Sequence, residues 1–410
     1  MANKYQEIRI WSFQHDGESI EEYKRRYNSP ATLHTDLKIN PIQYGERSSE
    51  SYELFMVPIP KVLQLDNVVH DNSRKITNLT EKLPGIAFEQ LFISTLRAEI
   101  MSTNEIEDVK TTNQEVSEAI TNVDSDRKIR LQSFAKMYFK IKDRENLKIK
   151  ELEDIRRIYD DLLKGEIADD KLPDGELFRN TYARIGSDTE TVHLPKSTEA
   201  GIKPDLIKWI DFINSETPSL FKALIAHYYF EYVHPFNDGN GRLGRYIACV
   251  YLGYKLDPLT AIIFSREIND NRKAYYKSFI NVEDPKNYGE VTFFVKDMLS
   301  FLIKGQKKLI RDLQDKQVML DYVGKKIAQK FEKLEVECLF LYFQAYLFDD
   351  YTFGMEDRRM LEVLSGSKCA KAAIKRCIKE LEQKKLIKTI KKSPLTRRLT
   401  SQFVEELING

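Results

Sequence analysis

Twelve residues, His234–Arg245 (HPFNDGNGRLGR), constrain this chain more than any other stretch. They separate one apolar run, Leu224 to Val233, from another, Tyr246 to Leu252. Pro235, Gly239 and Gly241 interrupt helix, so a tight turn between two buried helices is expected. Gly239, Asn240 and Gly241 can take positive φ, which turns successive backbone N–H groups inward as an anion-binding nest. Helix is expected to resume at about Arg242, aiming its N-terminal dipole and unpaired N–H groups at the same spot. Arg242 and Arg245, one turn apart, add forked donors suited to phosphate oxygens. Asp238 is a carboxylate among these cations, a placement that a hard metal such as Mg²⁺ bridging to phosphates explains. His234, at the mouth, can accept a proton near neutral pH. The physical reading is a polyphosphate site with a base beside it.

The same stretch resembles the HPFx(D/E)GNGRxxR motif of Fic-domain proteins, matching at every constrained position. The resemblance extends over roughly residues 60 to 310. It implies a mostly α architecture, a Fic helical core with a small β-hairpin flap. The activity it implies is protein adenylyltransfer: AMP moves from ATP to a protein Ser, Thr or Tyr hydroxyl, and pyrophosphate leaves. His234 would then take the hydroxyl proton and Asp238 would hold Mg²⁺. Gly239, Asn240, Gly241, Arg242 and Arg245 would bind the nucleotide, with Tyr275 and Tyr276 closing over its base. Two alternatives stay open. One is removal of AMP from a modified target, with Glu107 positioning a water; the other is a DNA-binding regulator in which the Fic fold only senses nucleotide.

At 410 residues the chain can hold two or three domains and a substantial core. Its 42% hydrophobic and 31% charged residues suit an ordinary globular protein, and a net charge of +1 argues against a uniformly basic nucleic-acid binder. The apolar run before the motif is broken by His227, Tyr228 and Glu231, so no segment reads as a membrane span. The N-terminus, MANKYQEIRIW, lacks the apolar core of a secretion signal. Cys249, Cys338, Cys369 and Cys377 have neither metal nor disulfide spacing, which suits a reducing compartment. A cytoplasmic protein is expected. The partners expected are ATP, a protein bearing a modifiable hydroxyl and DNA; a homodimer is left open.

The chain divides, on this reading, into an N-terminal region at 1–125, a catalytic core at 126–315 and a C-terminal domain at 330–410. In the first, Trp11-Ser12-Phe13 and Leu54 to Val57 read as strands or packing anchors. Phe88, Leu91, Phe92, Thr95 and Leu96 recur at helical spacing. Thr103 and Glu107, four apart, share a helix face if the helix continues. Thr103 to Asp108 resembles the inhibitory (S/T)xxxE(G/N) helix of many Fic proteins, with Asp108 departing from the Gly or Asn favoured there. Asp tolerates a helix terminus and left-handed φ, so the turn can survive. The resemblance implies that Glu107 pairs with Arg245 and holds the enzyme back.

Residues 126 to 165 read as charged helices. Phe178 to Pro195 reads as a hairpin around Gly186-Ser187-Asp188, similar to the Fic flap that pairs with a target strand. His193 reads as a surface or packing histidine, and His227, two turns before His234, as a buried structural one.

From about Glu332 three helices are expected: one from Val336, one over Arg358–Leu364, and one capped by Ser367 and running from Lys368 to about Lys385. Ile387 to Ile390, a basic turn at Lys391-Lys392-Ser393-Pro394 and Leu399-Thr400 follow as a two-stranded wing. The pattern resembles a winged-helix domain. Residues 366–410 hold twelve Lys or Arg against four Glu, a balance of +8, which suits contact with DNA phosphates. The other reading is a protein-docking module whose basic face is only solvated.

Overall fold

The computed structural model describes residues 5–409 except 16–17, 44, 187–190, 350–351, 353 and 366–369. The chain divides into two compact units, residues 1–74 with 97–307, and residues 75–96 with 308–410.

In the first unit, helices α1 (Ile8–Gln14) and α2 (Ser19–Tyr27) precede a small β region. Strand β1 (Leu33–Ile39) pairs antiparallel with β4 (Tyr52–Met56), and β2 (Ile42–Gln43) pairs with β3 (Glu46–Arg47) between them. Thr35, Leu37 and Ile39 are buried alternately along β1, the period of a half-buried strand. Of the two readings for Trp11-Ser12-Phe13, strand or packing anchor, the strand is overturned: the segment is helical. Ile8 and Ser12, four apart, face inward and Phe13 is exposed, a helical period too short to read from so few residues.

Helices α3 (Pro60–Thr80), α4 (Gly85–Ile106), α5 (Asn113–Thr121), α6 (Gln132–Lys142) and α7 (Leu152–Leu162) follow. The start of α5 is a capping box: Glu115 N donates to Thr112 Oγ1 at 3.2 Å, and Thr112 N to Glu115 Oε2 at 2.8 Å. The hairpin is present as β5 (Ile185–Gly186) paired with β6 (Thr191–His193). Ser187 and Asp188, its expected turn, lie outside the described residues.

Next come α8 (Glu199–Ile213), α9 (Ser219–Val233), α10 (Asn240–Lys255), α11 (Pro258–Ile262), α12 (Phe264–Asp270), α13 (Arg272–Val282) and α14 (Thr292–Lys330). Helix α9 is buried on nearly every side, from Leu220 to Val233, as a helix surrounded by others must be. Helix α10 packs against α9, α6 and α11, and the motif is the turn that joins α9 to α10. Phe236 anchors that turn: it is fully buried, stacked on Tyr159 at 3.8 Å between ring centroids and edge-on to Phe178 at 5.5 Å. Helix α14 is 39 residues long, and its buried Phe294, Val295, Met298 and Leu302 repeat at three and four.

Beyond its shares of α3, α4 and α14, the second unit is ordered as α15 (Lys333–Phe348), β7 (Met355–Glu356), α16 (Asp357–Ser365), α17 (Lys371–Gln383), β8 (Ile387–Lys392), β9 (Leu395–Leu399) and α18 (Ser401–Asn409). The sheet order is β7-β9-β8. Arg397 on the central strand pairs with Asp357 at the head of α16, and Ile374, Ile378 and Leu381 of α17 enter the core. Ser367 and Lys368, the expected cap and first residue of the third helix, lie outside the described residues. Lys391 and Lys392 belong to β8 rather than to the turn. Pairing continues to Lys392 opposite Leu395, because an edge strand needs only its backbone bonds and can leave its side chains in solvent. No helix among the described residues is long and apolar enough to cross a membrane.

Candidate functional site

The turn between α9 and α10 closes with two left-handed residues. His234 caps α9 at φ 50°, ψ 61°, with its N–H donating to Phe230 O at 3.0 Å. Gly239 stands at φ +85°, and a Cβ there would also run into Leu163 Cδ1. Helix α10 then starts at Asn240, two residues earlier than expected, so Asn240 and Gly241 are helical and only Gly239 takes positive φ. The closure that further left-handed residues would have supplied comes from the Asn240 side chain. Its Oδ1 accepts Phe236 N at 2.8 Å and its Nδ2 donates to Phe236 O at 2.7 Å. The first bond of the helix runs from Leu243 N to Gly239 O. The N–H groups of Asn240, Gly241 and Arg242 therefore lack intrahelical acceptors and form the donor array.

Both motif arginines are 1% exposed. Arg242 donates from Nη2 to Asp238 Oδ1 at 3.2 Å, while its Nε and Nη1, both buried, have no partner. Arg245 donates from Nε to Thr103 Oγ1 at 2.9 Å, and from Nη2 to Thr103 O at 3.0 Å and to Glu107 Oε1 at 2.8 Å. Burial opposes the charge of Arg245, yet Glu107 and the other groups around it hold its pKa above the ordinary arginine value. Gly241 makes the approach possible, since a Cβ there would collide with the Glu107 carboxylate and stand 2.9 Å from Arg245 Nη1. Helix α4 ends at Ile106, so Glu107 lies just past its last turn and Asp108 takes the left-handed position at φ 55°. Val109 N closes the terminus on Asn104 O at 2.9 Å, and Arg272 grips it through Ile106 O and, at 3.0 Å, Asp108 Oδ1.

Asp238 is partly exposed, with Oδ2 at 3.9 Å from Lys171 Nζ. Among the described residues no group of three or more His, Cys, Asp or Glu could hold a metal. The protein therefore offers a single carboxylate beside a phosphate-ready helix end. That donor set fits Mg²⁺, which commonly takes one or two carboxylates and completes its shell with phosphates and water.

His234 Nδ1 lies 3.3 Å from the Glu231 carbonyl, which favours the tautomer with its proton on Nδ1 and leaves Nε2 as an acceptor. Enclosure by the fold, then the neighbouring His193 and Arg179, push its pKa down to about 3, so the ring is neutral at pH 7. Arg179 holds the backbone of this residue, donating from Nε to His234 O at 2.7 Å. His193 of β6 sits between Glu283, 2.7 Å from Nδ1, and Tyr232 O, 2.6 Å from Nε2. It is a buried packing histidine, locking the flap to the end of α9.

Tyr275 is buried, its hydroxyl 2.9 Å from Nε2 of the buried His227, whereas Tyr276 is 43% exposed and donates to Ile106 O at 3.3 Å. Burial pushes the His227 pKa down to about 3. Four further residues shape the site. Arg179 and Arg272 belong to no motif that singles them out. Glu99, fully buried, accepts Ser265 N at 2.9 Å, and burial raises its pKa to about 7. Glu231 is raised to about 8 by burial, which Arg245 opposes and Glu107 reinforces. The only available signal was a lone carboxylate inside an apolar run, as at Glu231.

Residues 149–252 match the Fic/DOC family. Among solved structures, a Fic family protein from Desulfovibrio desulfuricans G20 aligns with a TM-score of 0.50 at 17% identity, covering 84% of this chain and 97% of that one. A Fic domain containing signalling protein from Bacteroides thetaiotaomicron VPI-5482 gives 0.41 at 15% identity, over 62% of this chain and 97% of that one. Fic-1 from C. elegans gives 0.38 at 17% identity, over 62% and 74%. The first likeness is one of fold.

Proposed function

We propose that this protein, whose residues 149–252 match the Fic/DOC family, is an adenylyltransferase that moves AMP from ATP onto a hydroxyl of another protein. The observation that carries the reading is the pair of buried, unpartnered donors on Arg242, set beside the unpaired N–H groups that open α10. Buried donors without acceptors are costly, and a polyphosphate supplies several acceptors at once. A neutral His234 stands at the other end of the same turn, as the cap of α9.

In the reaction, the target hydroxyl oxygen forms a bond to the α-phosphorus while the hydroxyl proton passes to His234 Nε2. The bond from the α-phosphorus to the bridging oxygen breaks, and its electron pair leaves with pyrophosphate. The helix N-terminus, Arg242 and Arg245 stabilise the charge that grows on the leaving group. Mg²⁺, held on the protein side by Asp238, would neutralise phosphate charge when bound. With Glu107 on Arg245, one of these cations is already occupied, so the resting enzyme is autoinhibited.

The test is incubation with α-labelled ATP and a cell lysate. Wild type or Glu107→Gly should label protein and His234→Ala should not, while both bind ATP. Equal labelling by the histidine variant would remove His234 as the base.

A second reading concerns the C-terminal unit. Lys371, Lys375 and Lys379 form an exposed stripe on α17, opposite its buried face, and Lys388, Lys391 and Lys392 are exposed on β8. Arg397 and Lys384 of the same unit are taken up in ion pairs, but no ion pair is drawn to these six among the described residues. A basic helix followed by a basic β-ribbon supports duplex DNA as a partner, in the manner of a winged helix.

A further inference from the structure

Arg179 is a buried cation with no carboxylate at ion-pair distance among the described residues. Its side chain is fully enclosed, and among the described residues it forms no ion pair. It binds carbonyls instead. Nε donates to His234 O at 2.7 Å, Nη1 to Thr181 O at 2.8 Å, and its backbone N–H to Pro235 O at 2.9 Å, while Nη2 has no partner. Burying a guanidinium against carbonyls alone is unfavourable, and a neutral residue would pack there at lower cost.

What those carbonyls belong to gives the arginine a purpose. His234 is a non-glycine residue at φ 50°, a strained backbone that needs outside support. Thr181 begins the short segment that leads into β5 of the flap. The support itself is rigid. Glu199 accepts the N–H groups of Glu176 and Leu177, each at 2.8 Å, and Asp174 accepts Asn180 N at 2.8 Å. Asn237, inside the motif, donates to Leu172 O at 2.8 Å and to Asp174 Oδ1 at 3.1 Å. The segment from Leu172 to Thr181 is thus fastened to the catalytic turn by Asn237 near its start and by Arg179 near its end.

We propose that Arg179 is a positioning residue for AMP transfer: it holds the left-handed backbone of His234 so that the imidazole points at the incoming hydroxyl, and it ties the root of the flap to that base. The inference rests on the adenylyltransferase reading above. A guanidinium spans two carbonyls in fixed directions, which a lysine ammonium reaches one at a time.

The experiment uses the full chain with Glu107→Gly as parent, α-labelled ATP as probe and self-modification as the reaction. Arg179→Ala should lower kcat about 100-fold and Arg179→Lys about 10-fold, with KM for ATP within about twofold of the parent, since misplacing a reacting group costs rate rather than phosphate binding. Loss of kcat with a parallel rise in KM and a collapsed melting temperature, or full activity in Arg179→Lys, overturns the proposal. A second measurement does not need the reaction: hydrogen exchange at residues 234–242 should quicken in Arg179→Ala and stay unchanged in β1 and β4. If the parent transfers no AMP, the adenylyltransferase reading fails by itself. Exchange then decides whether Arg179 holds the turn, and unchanged protection there rejects it.

Discussion

Glu107 Oε1 lies 2.8 Å from Arg245 Nη2, on a guanidinium whose Nε is already bound to Thr103 Oγ1 at 2.9 Å. A residue just past the end of α4 and one in the second turn of α10 thus occupy each other in a largely buried setting, where charge-assisted bonds are strong. A terminal phosphate aimed at Arg245 would meet a carboxylate there. Glu107→Gly should therefore raise labelled-AMP incorporation well over tenfold at matched ATP occupancy, by allowing the α-phosphate into line. Equal or lower incorporation would sink autoinhibition. Loss of AMP removal from a pre-modified target would instead point to hydrolytic removal of AMP, with Glu107 positioning the water.

Arg242→Ala should weaken ATP binding by about 10- to 100-fold, the equivalent of about 1.5–3 kcal/mol for a hydrogen bond to a charged group. Titration calorimetry with ATP reads this directly. An unchanged Kd would take Arg242 out of the phosphate site and leave its two buried donors without an explanation.

Folding stability should pass through a maximum with pH. Glu99 and Glu231 have pKa values raised to about 7 and about 8 from 4.5, so the stability of their protonated forms is complete below 4.5 and is lost as pH rises through the raised values. His227 and His234 are lowered to about 3 from 6.5, so they cost stability as pH falls below 6.5. Urea unfolding of Glu231→Gln should show a flatter decline between about pH 6 and 8.5 than wild type. An identical slope would mean that Glu231 ionises normally in the folded protein.

The lysines of α17 and β8 should bind mixed-sequence duplex DNA with steep salt dependence, because each phosphate contact releases a counterion. Anisotropy titrations of the full chain at two salt concentrations test this. Lys375→Glu with Lys379→Glu should lower the affinity and the salt slope together. No binding by wild type at low salt would favour a protein-docking role for this unit.

The motif was legible because its information is local. Pro235, Gly239 and Asn240 fall within six residues at one turn, and backbone conformation follows from the residue at each position. The burial of α9 was legible for a related reason, since an apolar run reports a helix enclosed by others. The chain alone thus determined a helix–turn–helix with a phosphate-ready helix end and an adjacent histidine. It determined less about where α10 begins, because the Asn240 side chain closes the turn onto Phe236 and starts the helix two residues early. Nor could spacing show that Tyr275 is turned inward onto His227, or that Trp11 lies in a helix. Only the tertiary structure brought Arg179 to the His234 carbonyl, Glu99 to Ser265, and Arg272 to the end of α4. Those contacts join segments far apart in sequence. Their geometry depends on how helices pack, and packing distances leave no trace in the spacing of residues along the chain.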